Sequence, residues 1–248
     1  MAPAIRPLRP EDIRWAAEIM DRRRQLYATY SPVFWRPAPG ATGLHARFLA
    51  GKLSTPGVTA LRTGRGFLIG EVRGSGATGP EGLIDDYAVE ADDDWAQDGA
   101  ALLEAAWPLL AKEGAATLRV VTAAADNAKM AMLRNCSLVL TENWWVKGLT
   151  PKGAADSTGR VVGAGFSGIV GPAPPVYDPG GPVLPVEQVA VGTKAAAIEE
   201  LAADLGAVLA VVPVPVGDRL GQDLHQAGFS IASAWYVGRP EHTTTQVS

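Results

Sequence analysis

Two adjacent carboxylates, Asp85 and Asp86, sit inside an otherwise apolar run, GLIDDYAV, and are the plainest candidates for proton chemistry. A carboxylate withdrawn from bulk water is raised in pKa and can take a proton from an amine. Side chains alternate along a strand, so at most one of the pair can point into a given cleft, and Tyr87 shares a face with Asp85. The plainer role for either acid is a strand-edge ion pair with an arginine. Residues 92–103 read DDDWAQDGAALL, a strand-to-helix loop with a late glycine. Such a loop suits an anion, because helix-terminal N–H groups and the helix dipole favour phosphate. This one carries four aspartates and no lysine or arginine. A third cluster, RRRQLYATYSPVFWRP, sets Tyr27, Tyr30, Phe34 and Trp35 among Arg22, Arg23, Arg24 and Arg36. The aromatics can clamp a small acceptor or cap the core. Arg22 and Arg23 are expected on a solvated helix face.

Positioning these groups requires an α/β (α+β) domain. Residues 5–8 suit a short strand. The helix after it opens on Glu11 and Asp12 and continues with Ile13, Ala16, Ala17, Met20 and Tyr27 at helical spacing. A second helix is expected over 44–53, then strands at VTALRT, GFLIGEVR and GLIDDYAV. A helix over 100–113, the β-branched strand TLRVVTA, a short helix over 127–135 and the strand LVLTENWWVK complete the series. The order β-α-α-β-β-β-α-β-α-β predicts a mixed central sheet flanked by helices, ending near Lys147. PKGAADSTG then reads as a linker.

The bulk properties narrow the function. At 248 residues, with 47% hydrophobic and 19% charged residues, the chain can bury a sizeable core. A net charge of -4 gives no support to nucleic-acid binding. Cys136 is the one cysteine, so no internal disulfide or thiolate cluster forms, and a cytoplasmic location is expected. Packing is its expected role. His45, His225 and His242 have no spacing that suggests a metal. The N-terminus lacks a signal-peptide core, VLAVVPVPV is too short to cross a membrane, and the tail EHTTTQVS is expected to be loose.

The chain also repeats itself. Residues 118–147 align without a gap on residues 209–238 at an offset of 91, so Trp144 meets Trp235 and Leu133 meets Leu224. Further back, DDYAV matches EQVAV at an offset of 102, leaving 11 extra residues in the first copy, within the acidic loop. The repeat predicts two related units in tandem, at 1–150 and 160–248, the second without a phosphate loop. Trp144 and Trp145 fall on opposite strand faces, one expected in the core and one against the second unit.

The element order and these motifs resemble the GNAT superfamily of acetyl-CoA-dependent N-acetyltransferases. In that family a strand ending in Val leads to a loop [QR]-x-x-G-x-[GA] and a helix starting with small residues and Leu-Leu. Here V-EADDDWAQDG-AALL has the same length, with Gly99 on the last glycine. Asp94 stands where the family has Arg or Gln, and Gln97 where it has the earlier glycine. The second motif, N-x-x-A followed by a tyrosine and then G-F, is matched at Asn127. Met130 replaces the alanine, and the tyrosine position falls on Arg134, or on Leu133 if Asp126 is taken as the Asn. Ser137-Leu138 aligns with the G-F pair kept by the second copy, Gly228-Phe229.

The resemblance implies acetyl transfer from acetyl-CoA to an amine, without a metal, with Asp85 or Asp86 as base. It implies cofactor contacts from Tyr87, Ala88, Val89, Ala96, Gln97, Asp98, Gly99, Ala100, Asn127 and Arg134. Tyr30, Phe34 and Trp35 would line the acceptor pocket. The partner would be a small-molecule or peptide amine, not a nucleic acid or a membrane, and a homodimer is allowed. The altered loop and missing tyrosine favour an alternative, a non-catalytic GNAT-like protein that binds a small molecule or a partner chain. In the acidic loop, aspartates either cap the helix in solvent or repel a pyrophosphate. A third role for the second unit is to cover the first unit's sheet edge.

Overall fold

The computed structural model of the chain describes residues 3–76, 79–153 and 158–239. The tail, His242 and the middle of the linker lie outside the described residues. The first half contains β1 (Arg6–Pro7), α1 (Ile13–Tyr30), α2 (Ala41–Leu53), β2 (Val58–Arg62), β3 (Gly66–Gly76) and β4 (Gly79–Val89). A 3-10 helix at Asp92–Ala96 leads into α3 (Asp98–Lys112), β5 (Thr117–Ala123), α4 (Asn127–Asn135) and β6 (Val139–Gly148). The second half contains β7 (Gly159–Gly163), β8 (Phe166–Val170), β9 (Val183–Val189), α5 (Ala195–Asp204), β10 (Leu209–Pro215), α6 (Arg219–Gln226) and β11 (Ser230–Gly238). The predicted order of the first half is the observed one.

The eleven strands of the described residues form one sheet, in the order β1-β2-β3-β4-β5-β11-β6-β10-β9-β8-β7. The last strands of the two halves are crossed. β11 pairs antiparallel with β5, β6 pairs antiparallel with β10, and β6 and β11 pair with each other at the centre. The central register is symmetric about Asn143↔Ala234, two residues 91 apart. Val139↔Val237 mirrors Val146↔Ser230, and Leu140↔Tyr236 mirrors Trp145↔Ile231.

The outer strands repeat as well. Gly82 pairs with Leu118 as Leu184 pairs with Ala210, an offset of 102 in the first strand and 92 in the second. The β5–β10 offset is thus one residue longer than the gap-free alignment expects, and one residue is lost before β11. Both halves carry a bulge at the same place: Asp85 is skipped between the Ile84 and Asp86 pairs, and Glu187 between the Val186 and Gln188 pairs. Ser137, at φ 63°, and Gly228, at φ 83°, both close their helices in the left-handed region.

Helices cover both faces. In the first half α3 and α4 bury Leu102, Leu103 and Leu133 against Ile84, Tyr87 and Val120, and β11 contributes Ala234 and Tyr236 to this core. On the opposite face α1 and α2 bury Ile19 and Leu49 against Phe67 and Ala88. In the second half α5 and α6 pack over β8–β10, with Trp145 of β6 against them. Trp144 stacks on Trp235, ring centres 4.9 Å apart. Both tryptophans therefore meet second-half residues, a correction to the expected division between them.

Candidate functional site at the fork of two parallel strands

β4 and β5 run parallel only from Glu81↔Thr117 to Ile84↔Val120; among the described residues no pairing joins them further. The strands separate at the Asp85 bulge, and the fork opens beside Asp85, Asp86 and Tyr87. The bulge also breaks the expected alternation: Ile84, Tyr87 and Val89 all enter the α3-side core, and Ala88 enters the opposite one. The two aspartates separate in role. Asp86 meets Nε2 of the buried His45 at 2.8 Å, and His45 Nδ1 is held by the Arg24 guanidinium, which places the imidazole proton on Nε2. Asp85 faces a small cavity at the base of the fork.

That cavity, of about 30 Å³, is lined by Arg23, Arg24, Tyr27, Asp85, Tyr87 and Lys129, with Trp35 and Tyr177 closing one side. Solvent reaches Asp85 along the fork, but protein crowds it on most sides; that loss of water, then the charge of Asp86, lifts its pKa to about 6. Lys129 is fully buried, which brings its pKa down to about 8 against the pull of Asp126. Its ammonium donates to the Tyr87 carbonyl at 3.1 Å and lies over the rings of Tyr87 and Trp95 at 4.9 and 5.1 Å. Asp126, the α4 N-cap, accepts from Lys129 N at 3.0 Å and from the Tyr27 hydroxyl at 2.6 Å. Burial, then Asp126, holds the Tyr27 hydroxyl well above the usual tyrosine pKa. Arg23 pairs with Asp92 at 2.5 Å and lies 3.9 Å from Asp126.

The raised pKa of Asp85 gives a pH signature. An unfolded aspartate titrates near ~3.9, so between about pH 4 and pH 6 the folded protein holds more protons at this site. Its stability contribution is present below that window and lost as pH rises through it. Asp85→Asn is therefore expected to raise the melting temperature at pH 7–8, with the gain fading below about pH 4. An equal gain at pH 4 and pH 8 would show that Asp85 carries no ionisation penalty.

The acidic loop is tied down by ion pairs. Asp92 pairs with Arg23, Asp94 with Arg65 at 2.8 Å, and Asp98 lies 3.8 Å from Arg65. Asp94 also accepts from Ala91 N at 3.1 Å. The Asp92–Ala96 helix packs on α4 and buries Trp95. The indole lies against Gly99, where an added Cβ would sit 2.6 Å from Trp95 Cε3. Its ring meets Tyr87 edge-on at 4.9 Å, and the Tyr87 hydroxyl donates to the Gly99 carbonyl. Protein groups thus occupy the space beside Gly99 and one backbone acceptor of the open strand.

The remaining candidates scatter. Ala96 and Gln97 are exposed, Asp98 and Gly99 buried, Ala100 half-buried, and Val89 in the core. Asn127 and Arg134 lie exposed on α4, and Arg134 reaches the Tyr236 hydroxyl at 3.4 Å. Asp126 supplies the α4 cap, and of the two positions offered for the tyrosine, Leu133 is fully buried and Arg134 exposed. Trp35 is buried and donates to the Ala232 carbonyl at 3.0 Å, Phe34 lies between Trp35 and Trp144, and Tyr30 is largely exposed. Arg22 is on the solvated face as expected, but Arg23 and Arg24 are buried. Arg23, Lys129, Asp126 and Trp95 were not singled out from sequence as site groups. Cys136 is half-buried, its Sγ 3.8 Å from Met132 Sδ. Among the described residues no cluster of metal-binding side chains occurs, and no helix is long and apolar enough to cross a membrane. A larger, open groove of about 420 Å³ runs along α6, lined by Trp145, Asp218, Gln222 and His225, but no set of charged groups converges on it.

No family model matches the chain, and no curated protein matches it. Solved structures do. The chain is similar to a proposed acetyltransferase from Thermoplasma acidophilum, at 9% identity and TM-score 0.63 over 95% of this chain and 99% of that one. It is similar to a GCN5-related N-acetyltransferase from Sphaerobacter thermophilus, at 9% identity and TM-score 0.59 over 96% and 97% of the two chains. A proposed acetyltransferase from Pyrococcus horikoshii follows at 11% identity and TM-score 0.56, over 97% and 90%. The chain has the GNAT acetyltransferase fold along nearly its whole length.

Proposed function

We propose that this chain uses the GNAT fold to bind a small molecule at the β4/β5 fork and does not turn over acetyl-CoA. One observation carries the reading: the passage a cofactor would need is filled from within. Trp95 covers Gly99, the Tyr87 hydroxyl takes the Gly99 carbonyl, and Lys129 takes the Tyr87 carbonyl. Opening it would break the Arg23–Asp92 and Arg65–Asp94 pairs and leave Lys129 buried with less compensation. Asp92, Asp94 and Asp98 would also repel a pyrophosphate. The two halves are read as related units, 1–150 and 160–248, that exchange their last strands; the matching bulges and the symmetric β6–β11 register support this.

Acetyl transfer is a second reading, favoured by Asp85. A carboxylate at the fork with a pKa near 6 suits a base that takes the proton of an ammonium. It requires the Asp92–Ala96 helix to swing out, and no hydroxyl stands at the tyrosine position to protonate a leaving thiolate. Thiol release separates the two. The full chain with about 1 mM acetyl-CoA and a panel of small amines, polyamines and N-terminal peptides is expected to give no release above the uncatalysed rate. Amine-dependent release at even about 0.1 per second, low for enzymes, that Asp85→Asn abolishes would establish transfer instead.

A further inference from the structure

The groups around the fork cavity hold more hydrogen-bond donors than acceptors. Arg23, its side chain 6% exposed, gives Nη1 to Asp92, while its buried Nη2 has no partner among the described residues. The Lys129 ammonium has three N–H donors and, among the described residues, one hydrogen bond, to the Tyr87 carbonyl. Both cations line the cavity, and both lie against the ring of Trp95, whose buried Nε1 is also without a partner among the described residues. Among the described residues two acceptors on the wall are without a hydrogen bond, the Asp85 carboxylate on the outer side and the Thr122 hydroxyl; the other carboxylates nearby are committed. Asp126 serves Tyr27 and the α4 N-terminus, and Asp92 serves Arg23. A buried donor left bare is costly, and native proteins leave few.

We propose that the cavity between Arg23 and Lys129 receives a carboxylate group, carried by a small organic molecule whose remainder leaves along the solvent-open Asp85 side. The proposal rests on the reading that the fork binds a small molecule. A single water answers both cations only if it gives its own two hydrogens to Asp85 and the Thr122 hydroxyl. A carboxylate donates nothing and accepts on two oxygens. Phosphate would carry more negative charge among Asp85, Asp92 and Asp126. Asp85, on the outer side, sets the polarity of the rest of the ligand: an ammonium or hydroxyl beside the carboxylate meets it, and a second carboxylate is repelled.

The test uses the full chain at constant ionic strength, titrated with sodium acetate, lactate, glycine, succinate or phosphate against chloride. Melting temperature and tryptophan fluorescence are the two readouts, the second because Trp95 touches both cations. Acetate, lactate or glycine is expected to give a saturable rise of about 2–4 °C or more with a fluorescence change absent in Trp95→Phe. Arg23→Met and Lys129→Met are expected to weaken that binding at least about tenfold, since charged hydrogen bonds contribute about 1.5–3 kcal/mol. If Arg23→Met fails to fold, Arg23→Lys serves, with the same expected weakening. Carboxylates that act no differently from chloride, phosphate acting more strongly than acetate, or folded variants that bind like the parent would each overturn the assignment. The proposed function fails separately, on CoA: a chain that ignores both CoA and carboxylates contradicts this site alone.

Discussion

Replacing Asp126 with alanine is expected to cost about 3–5 kcal/mol of folding stability, the range for removing one partner from a buried charge network. The carboxylate is 2% exposed and does three things at once. It caps α4, accepts the Tyr27 hydroxyl and supplies the negative charge that keeps Lys129 from falling further in pKa. Alanine removes all three and leaves Arg23 and Lys129 buried with less compensation. At about 2–4 °C per kcal/mol for a chain of this size, the melting temperature should fall by about 10 °C. Asp126→Asn separates the roles, because asparagine caps well and can still accept from Tyr27. It should lose less than alanine, and the difference between the two reports the cap and the hydroxyl bond. Urea denaturation of the three proteins gives these numbers. A loss under about 1 kcal/mol for alanine would mean that the buried cations do not depend on Asp126 as described.

Ending the chain at Gly228 is expected to abolish cooperative folding of both halves, not only of the second. β11 is the sole strand between β5 and β6 in the described sheet. Without it, Ala234 and Tyr236 leave the α3/α4 core, Trp35 loses the Ala232 carbonyl, and two central strand edges are laid open. The expected product is aggregated or lacks a sharp thermal transition by circular dichroism. A truncated chain that keeps a cooperative transition and native-like amide protection in β2–β5 would show that the first unit stands without the exchanged strand.

Much of the architecture was legible because hydrophobic period and punctuation are local signals. The element order of the first half, the Asp85–Tyr87 strand and the acidic loop fall where expected. The crossing of β6 and β11 is not local, since either strand could close its own unit. Its trace in the sequence was the repeat itself, with Trp144 on Trp235. The buried arginines had a clearer signal than charge alone suggests. Arg23 and Arg24 continue the stripe of Ala16, Met20 and Tyr27, so α1's periodicity places them inside. Charge argued for solvent, but the partner that keeps Arg23 buried, Asp92, comes from 69 residues away. Lys129 was hidden for the same reason: it sits in the first turn of a short helix, and its burial depends on a fork that only the assembled sheet creates. Trp95 looked like one aromatic in an acidic loop, and packing alone reveals that it covers Gly99.

The most direct test of the central claim is a calorimetric titration of the full chain with coenzyme A and with acetyl-CoA at low ionic strength, where charge effects are largest. The filled passage predicts no binding heat and no change in melting temperature up to about 1 mM of either. Saturable binding with a Kd below about 100 µM, weakened when Gly99 is replaced by valine, would contradict it and restore the loop as a cofactor site.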